Sequence, residues 1–365
     1  MSLPKIIADG IHAMVKRLMK AVLFEAPGKI SIAEFELGPC GDEDVVVRTL
    51  YTMVSSGTEL RVLGGHYGAE GNFPLIPGYS VVGEVTAVGS KVKGFRVGDL
   101  ISGRNPRSVP GVKSQWGGQA SRHVYTTTGE DRPVLLPQGA KPLDYVTAEI
   151  SSISLRGVQA ARPKSGETAI VLGQGIIGAF SAAWLRARGC RVIVADFEQS
   201  RLDRALACGA AAAVNMKDSD AVDRILRWCD GGADIVVESS GSSPGAKMAY
   251  QLIRRKPQAF TGDYRVEPMS FYGDWSRLIF QANYIEDISI NPFTSFPGEG
   301  VIILTPMDRG VEDRQNAIEA LRTGKIRAAD FVQRIVSFKE APAAYLSLRD
   351  DKNANFSLVI DWEGS

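Results

Sequence analysis

The apolar and polar positions of this chain fall into two rhythms. From Met19 to about Ala148 the apolar residues come in short runs broken by glycine and proline, at Lys20 to Phe24, Val45 to Leu50, Val81 to Val88 and Val97 to Ile101. Runs at that spacing predict turn-connected strands in an all-β, barrel-like unit. Around Pro142 to Ala161 the spacing turns helical and predicts a connector. From Thr168 strands and helices alternate. A strand at 168–172 leads to a helix carrying Ile177, Phe180 and Leu185, then a strand at 192–195 and an Arg/Ala-rich helix to about Gly209. A strand at 213–215, a helix through Val222, Ile225, Leu226 and Trp228, and a strand at 234–237 follow. Such alternation predicts α/β architecture with a parallel, doubly wound sheet. A further strand fits Arg265 to Tyr272, with Pro268 arguing against a central position and residues 256–264 reading as an inserted loop. The regular alternation ends after Ile290. A helix through Asn316, Ala317, Ala320 and Leu321 stops at Gly324, and residues 357–362 form a closing strand in a tail that returns to the first unit.

The strand at 168–172 runs directly into Gly173-Gln174-Gly175-Ile176-Ile177-Gly178, a G-x-G-x-x-G turn. Gly173 permits the sharp bend, Gly175 lets a pyrophosphate approach the backbone, and Gly178 lets the helix lie close on the strand. The helix N-terminus then faces the phosphates. The next strand ends in Asp196, near the spacing of about 20 residues at which a ribose-binding acid belongs. A carboxylate there accepts from a ribose 2′-OH and repels a 2′-phosphate. The following residue is Phe197 rather than arginine, so NAD(H) is favoured over NADP(H). Arg201 is near enough to pair with Asp196 or to stack on adenine. Glu238-Ser239-Ser240-Gly241 closes a strand at the carboxyl edge where such sheets bind ligands, which adds Ser240 to the expected cofactor contacts.

Composition narrows the partners. A net charge of +1 favours neither a nucleic acid nor an anionic membrane. With 44% hydrophobic and 23% charged residues and no apolar run of about 18, the chain reads as an ordinary globular protein without a transmembrane helix. The first residues carry no adequate apolar core or small-residue cleavage site for a secretory signal, so 1–18 read as an extension outside the fold. Cys40, Cys190, Cys208 and Cys229 are scattered without a C-x-x-C, which fits reduced thiols in a cytoplasm.

Taken together, residues 19–362 resemble the medium-chain dehydrogenase/reductase family. The resemblance is carried by Phe73-Pro74-Leu75-Ile76-Pro77-Gly78, by Val81-Val82-Gly83-Glu84-Val85 with Val88-Gly89, by Gly94-Phe95-Arg96-Val97-Gly98-Asp99, by Gly117-Gly118, and by Gly166-Glu167-Thr168 leading into the glycine turn. It implies a GroES-like catalytic domain over 19–155, a Rossmann cofactor domain over 156–295, a return to the catalytic domain over 296–365, and a catalytic cleft between the domains. It also implies a homodimer or homotetramer acting on a small molecule. Zinc-dependent members carry a cysteine in C-G-[ST]-[DE], a G-H-E triplet, and four cysteines in a separate lobe. Here those places hold Ser56 in Ser56-Gly57-Thr58-Glu59, then Tyr79 and Ser80, and no cysteine from Ile101 to Gln115. Of the zinc ligands only Glu149 remains. A catalytic zinc needs about three protein ligands and a structural one about four, so no zinc is expected. The chain is similar to the zinc-free S-G-T-E branch.

Hydride transfer from an alcohol carbon needs the hydroxyl proton removed and the developing oxyanion stabilised, and without zinc fixed donors must do both. Thr58 stands at the family's proton-relay position, Tyr79 replaces a ligand histidine, Glu59 adjoins the relay, and Glu149 is placed to tune or orient either. Each has a plainer reading: Tyr79 as a filler of the vacated volume, Glu59 as an ion-pair partner of Arg61, His66 and His123 as structural histidines, and Trp116 as core rather than pocket wall. The leading expectation is a zinc-independent, NAD-dependent alcohol or polyol dehydrogenase. A quinone or enone reductase and a non-catalytic NAD(H)-binding sensor are the alternatives.

Overall fold

The computed structural model describes residues 18–255, 275–291, 300–307, 310–351 and 354–365. Most of the proposed extension, the expected strand at 265–272 and its inserted loop lie outside them. The chain divides into two compact units. The first comprises 1–149, 310–351 and 357–365, and the second 150–309 and 352–356.

In the first unit, strand β1 (Leu18–Ala26) forms a hairpin with β2 (Lys29–Glu36). Leu18, which the sequence reading left in the extension, is already paired, opposite Glu36. Long β3 (Asp44–Val54) is followed by helix α1 (Ser56–Leu63), by β4 (Leu75–Ile76), and by β5 (Ser80–Val88), which pairs antiparallel with β3. Next come β6 (Leu100–Gly103), β7 (Lys113–Ser114), β8 (Arg122–Thr126) and β9 (Val134–Leu135). The expected strand from Val97 starts three positions later, because Gly98 turns with φ +93° and Val97 is left 67% exposed. The tail supplies helix α7 (Val311–Arg322), strand β16 (Arg334–Ser337), helix α8 (Ala341–Asp350) and strand β17 (Leu358–Asp361). Strand β17 pairs antiparallel with β3, Leu358 opposite Val54. Val22, Phe24, Val62, Leu63, Tyr345 and Trp362 share one buried core there, so the last residues close the core that the first ones begin, although β1 and β17 lie in different sheets.

The second unit starts inside helix α2 (Ala148–Ala161). Strands β10 (Thr168–Leu172), β11 (Arg191–Asp196), β12 (Ala212–Asn215), β13 (Ile235–Glu238), β14 (Ser276–Phe280) and β15 (Val301–Leu304) form a parallel sheet in the order β12-β11-β10-β13-β14-β15. Helices α3 (Ile176–Ala187), α4 (Gln199–Ala207), α5 (Ala221–Trp228) and α6 (Ser243–Leu252) connect its strands. Strands β10 and β13 are almost wholly apolar because both of their faces are covered. The order reverses between β10 and β13, which makes their carboxyl ends the switch-point crevice.

The unit boundaries differ from those read in the sequence. The division falls at Glu149/Ile150 instead of 155/156, since Trp184 Nε1 donates to the Ser151 carbonyl (3.0 Å) and Ser154 Oγ to that of Ile177 (2.9 Å). The tail re-enters the first unit at Gly310 instead of 296, because β15 pairs with β14 and extends the sheet past the point where the alternation was expected to end. Residues 352–356 belong to the second unit, where the Arg204 guanidinium lies over the Phe356 ring.

Candidate functional site

In the second unit the glycine turn joins β10 to α3 at the switch point. Gly173 has φ +84°, and a Cβ there would sit 2.9 Å from the Ser240 amide nitrogen, so only glycine fits between the turn and the end of β13. At Gly178 a Cβ would run into the Gly173 carbonyl, whereas at Gly175 it would meet nothing within 4 Å. Gly175 therefore leaves its backbone open to an approaching group. It is also the N-cap of α3 and caps it with no side chain, which leaves first-turn amides for an anion. Ile176 and Ile177 form that first turn. Two buried polar atoms beside it, Gln174 Oε1 and Ser239 Oγ, have no hydrogen-bond partner.

Asp196 ends β11, 8% exposed. One of its carboxylate oxygens accepts from the Gln174 amide (2.5 Å) and the other from that of Glu198 (2.8 Å). Arg201, on α4, places NH1 3.9 Å from it. Phe197 is 57% exposed beside it. Ser240 is close to the turn as expected, yet its hydroxyl donates to Glu238.

In the first unit Ser56, Thr58, Glu59 and Tyr79, of the expected catalytic residues, gather at the N-terminus of α1, which Ser56 opens; Glu149 does not join them there. The Tyr79 hydroxyl donates to Ser55 Oγ (2.6 Å) and is hydrogen-bonded to Thr58 as well. Burial raises the Tyr79 pKa, the bonds to Ser55 and Thr58 oppose the rise, and the charges of Glu59 and Glu149 add to it. Tyr79 is therefore a neutral phenol, a donor rather than a phenolate base. Its ring meets Trp116 edge-on at 5.2 Å, and Trp116 in turn meets Tyr67 at 5.7 Å. Trp116 and Tyr67 both hold left-handed backbone, φ +68° and +60°, uncommon for aromatic residues. Trp116 thus packs on the hydroxyl cluster and on the core at once.

Glu59 lies behind this cluster, fully buried. Its carboxylate accepts from the Ser55 amide (2.8 Å), Gln119 Nε2 (3.2 Å) and the Tyr345 hydroxyl (2.5 Å); Arg61 is not its partner. Burial pushes its pKa up to about 7, against the pull of those three donors. Glu149 is also buried, with Arg104 NH1 at 3.1 Å and Arg314 NH1 at 3.6 Å. Burial raises its pKa and the two arginines oppose the rise. His123 is buried on β8, and burial lowers its pKa to about 4, so it is neutral. His66 is exposed. Among the described residues, no group of three or more His, Cys, Asp and Glu side chains could hold a metal ion.

Sequence reading missed Ser55 and Tyr345. Ser55 lies next to the S-G-T-E motif and bears no mark of its own, and Tyr345 reaches Glu59 only through the returning tail.

A doubly wound parallel sheet, a glycine turn at its switch point and an acid closing the neighbouring strand define a dinucleotide-binding fold. Comparison with known proteins gives its relatives. Residues 41–129 match the alcohol dehydrogenase GroES-like domain, and residues 177–260 match the zinc-binding dehydrogenase domain. The chain is 29% identical to an alcohol dehydrogenase of Cupriavidus necator, over 65% of this chain and 74% of that protein. It is 27% identical to an NADP-dependent isopropanol dehydrogenase of Entamoeba histolytica, over 66% and 71%. A crystal structure from Escherichia coli, described as a short chain alcohol dehydrogenase complexed with NADH, superposes with a TM-score of 0.79 at 18% identity, covering 94% of this chain and 99% of that one. The chain is an oxidoreductase with a GroES-like and a Rossmann-type domain, similar to the medium-chain dehydrogenase/reductase family.

Proposed function

We propose that this protein is a zinc-independent, NAD(H)-dependent oxidoreductase that moves a hydride between a secondary alcohol or polyol and the matching ketone. The observation that carries this reading is the neutral hydroxyl cluster Tyr79–Ser55–Thr58. A zinc ion would need donors that are absent here: Ser56 offers a hydroxyl where zinc members have a thiolate, Tyr79 a neutral phenol in place of imidazole, and Glu149 is already bracketed by two arginines. The zinc-binding family description therefore does not fit this donor set.

A nicotinamide held at the glycine turn would supply the hydride chemistry. In ketone reduction Tyr79, turning its hydroxyl from Ser55 to the substrate oxygen, would stabilise the oxyanion and give it a proton, which Ser55 and Thr58 would restore to Tyr79 from solvent; in alcohol oxidation the proton would leave to water by the same path. Open Gly175, the first turn of α3 and the orphaned Gln174 and Ser239 atoms fit a pyrophosphate and its ribose. Asp196 favours NAD(H), and the names of the relatives support an alcohol substrate. The family resemblance supports a homodimer or homotetramer, and the scattered free cysteines support a cytoplasmic setting.

The test is steady-state turnover of Tyr79→Phe and Thr58→Val over a panel of secondary alcohols and ketones. Each should lose activity by about 10²-fold. Near-wild-type rates in both would overturn the assignment.

A further inference from the structure

Glu238 ends β13, fully buried, and the catalytic reading leaves it without a task. Its carboxylate collects four donors. The Ser240 amide (2.8 Å) and hydroxyl bind one oxygen, and the Gly241 amide (3.2 Å) and the Tyr284 hydroxyl bind the other. Tyr284 stands in the segment after β14, its ring edge-on to Phe280 at 5.9 Å. A single carboxylate therefore ties together the segments that leave two adjacent strands at the carboxyl edge of the sheet.

The turn it ties is the one against which the glycine motif rests. The Ser240 amide nitrogen and the Ser239 carbonyl carbon back onto Gly173, and Ser239 Cβ would lie 3.2 Å from a Cβ at Gly178. Ser239 Oγ is one of the two orphaned polar atoms beside the motif. Were the Ser239–Gly241 turn to shift, that hydroxyl and the support under Gly173 would shift together. Buried charge-assisted bonds with all lone pairs engaged are the stiffest means of holding such a turn.

We infer that the Glu238–Tyr284 clamp is a positioning device for the dinucleotide, in which Glu238 and Tyr284, neither touching the cofactor, fix the Ser239–Gly241 turn in the geometry that binds it. The inference rests on the dinucleotide reading of the glycine turn. It predicts that Tyr284 acts only through Glu238, so the two residues are coupled rather than additive.

The experiment is NADH titration by fluorescence enhancement on the whole protein, for wild type, Tyr284→Phe, Glu238→Gln and the double variant, with melting temperatures of the free proteins alongside. Tyr284→Phe keeps its ring on Phe280 and should fold, melting somewhat below wild type because a buried carboxylate loses a donor, and at temperatures well below that melt it should bind NADH about 5- to 20-fold more weakly, with Glu238→Gln adding little on top of it. Unchanged NADH affinity in Tyr284→Phe, or losses that multiply independently in the double variant, would overturn the clamp. A wild-type protein that fails to bind NADH would instead overturn the dinucleotide reading itself, so the two failures are distinct.

Discussion

On the proposed reading, single side chains set cofactor choice and proton handling. Asp196 presents its carboxylate at the end of β11 with Arg201 beside it, so the acid is held in place without being neutralised by a close ion pair. Asp196→Ala should lose most of its preference for NAD over NADP, read as the ratio of kcat/KM for the two cofactors. An unchanged ratio would refute the role. Glu59 makes a separate prediction through pH. Burial lifts its folded-state pKa from 4.5 to about 7, so the folded protein binds this proton more tightly than the unfolded chain does. The associated stability is full below pH 4.5 and is lost as pH rises through 7, with a slope of up to about 1.4 kcal/mol per pH unit between the two values. Glu59→Gln, which mimics the protonated acid, should flatten the melting temperature across that window, and a profile parallel to wild type would contradict the assignment. The place of Asp196 at the end of β11 was legible in the sequence because it follows from a local motif. The setting of Glu59 was not: the bond from Tyr345 comes from the far end of the chain.

At the scale of elements, the β10–α3 turn separates two uses of glycine. Gly178→Ala would normally gain about 0.5–1 kcal/mol inside a helix. Here the added methyl meets the Gly173 carbonyl, so the variant should melt below wild type. Gly175→Ala meets nothing in the free protein. It should melt like wild type and bind NADH several-fold more weakly, since the methyl occupies the approach of the pyrophosphate. Equal melting temperatures together with equal affinities would contradict both roles. This turn was fully readable, because strand, glycines and helix follow one another in sequence. Strands β14 and β15 were not: both are short, β15 is a half-buried edge strand, and neither carries a turn motif that marks its end. The run from Val97 misled for a related reason, since Gly98 bends it away from the sheet.

For the whole molecule, the sequence carried the two-unit plan through its change of rhythm, but the exact partition depends on packing. Helix α2 divides between the units because its Ser151 and Ser154 bond to elements of the second, and 352–356 join that unit through Phe356. No described helix is long and apolar enough to cross a membrane. The proposed function gives hydroxyls and a neutral phenol the work that a metal does in zinc-dependent enzymes. It is tested most directly by measuring turnover and zinc content on one sample of the protein after chelator treatment. Full NAD-dependent turnover with far less than one zinc per chain is expected. Activity that disappears with the metal and returns with about one zinc per chain would contradict it.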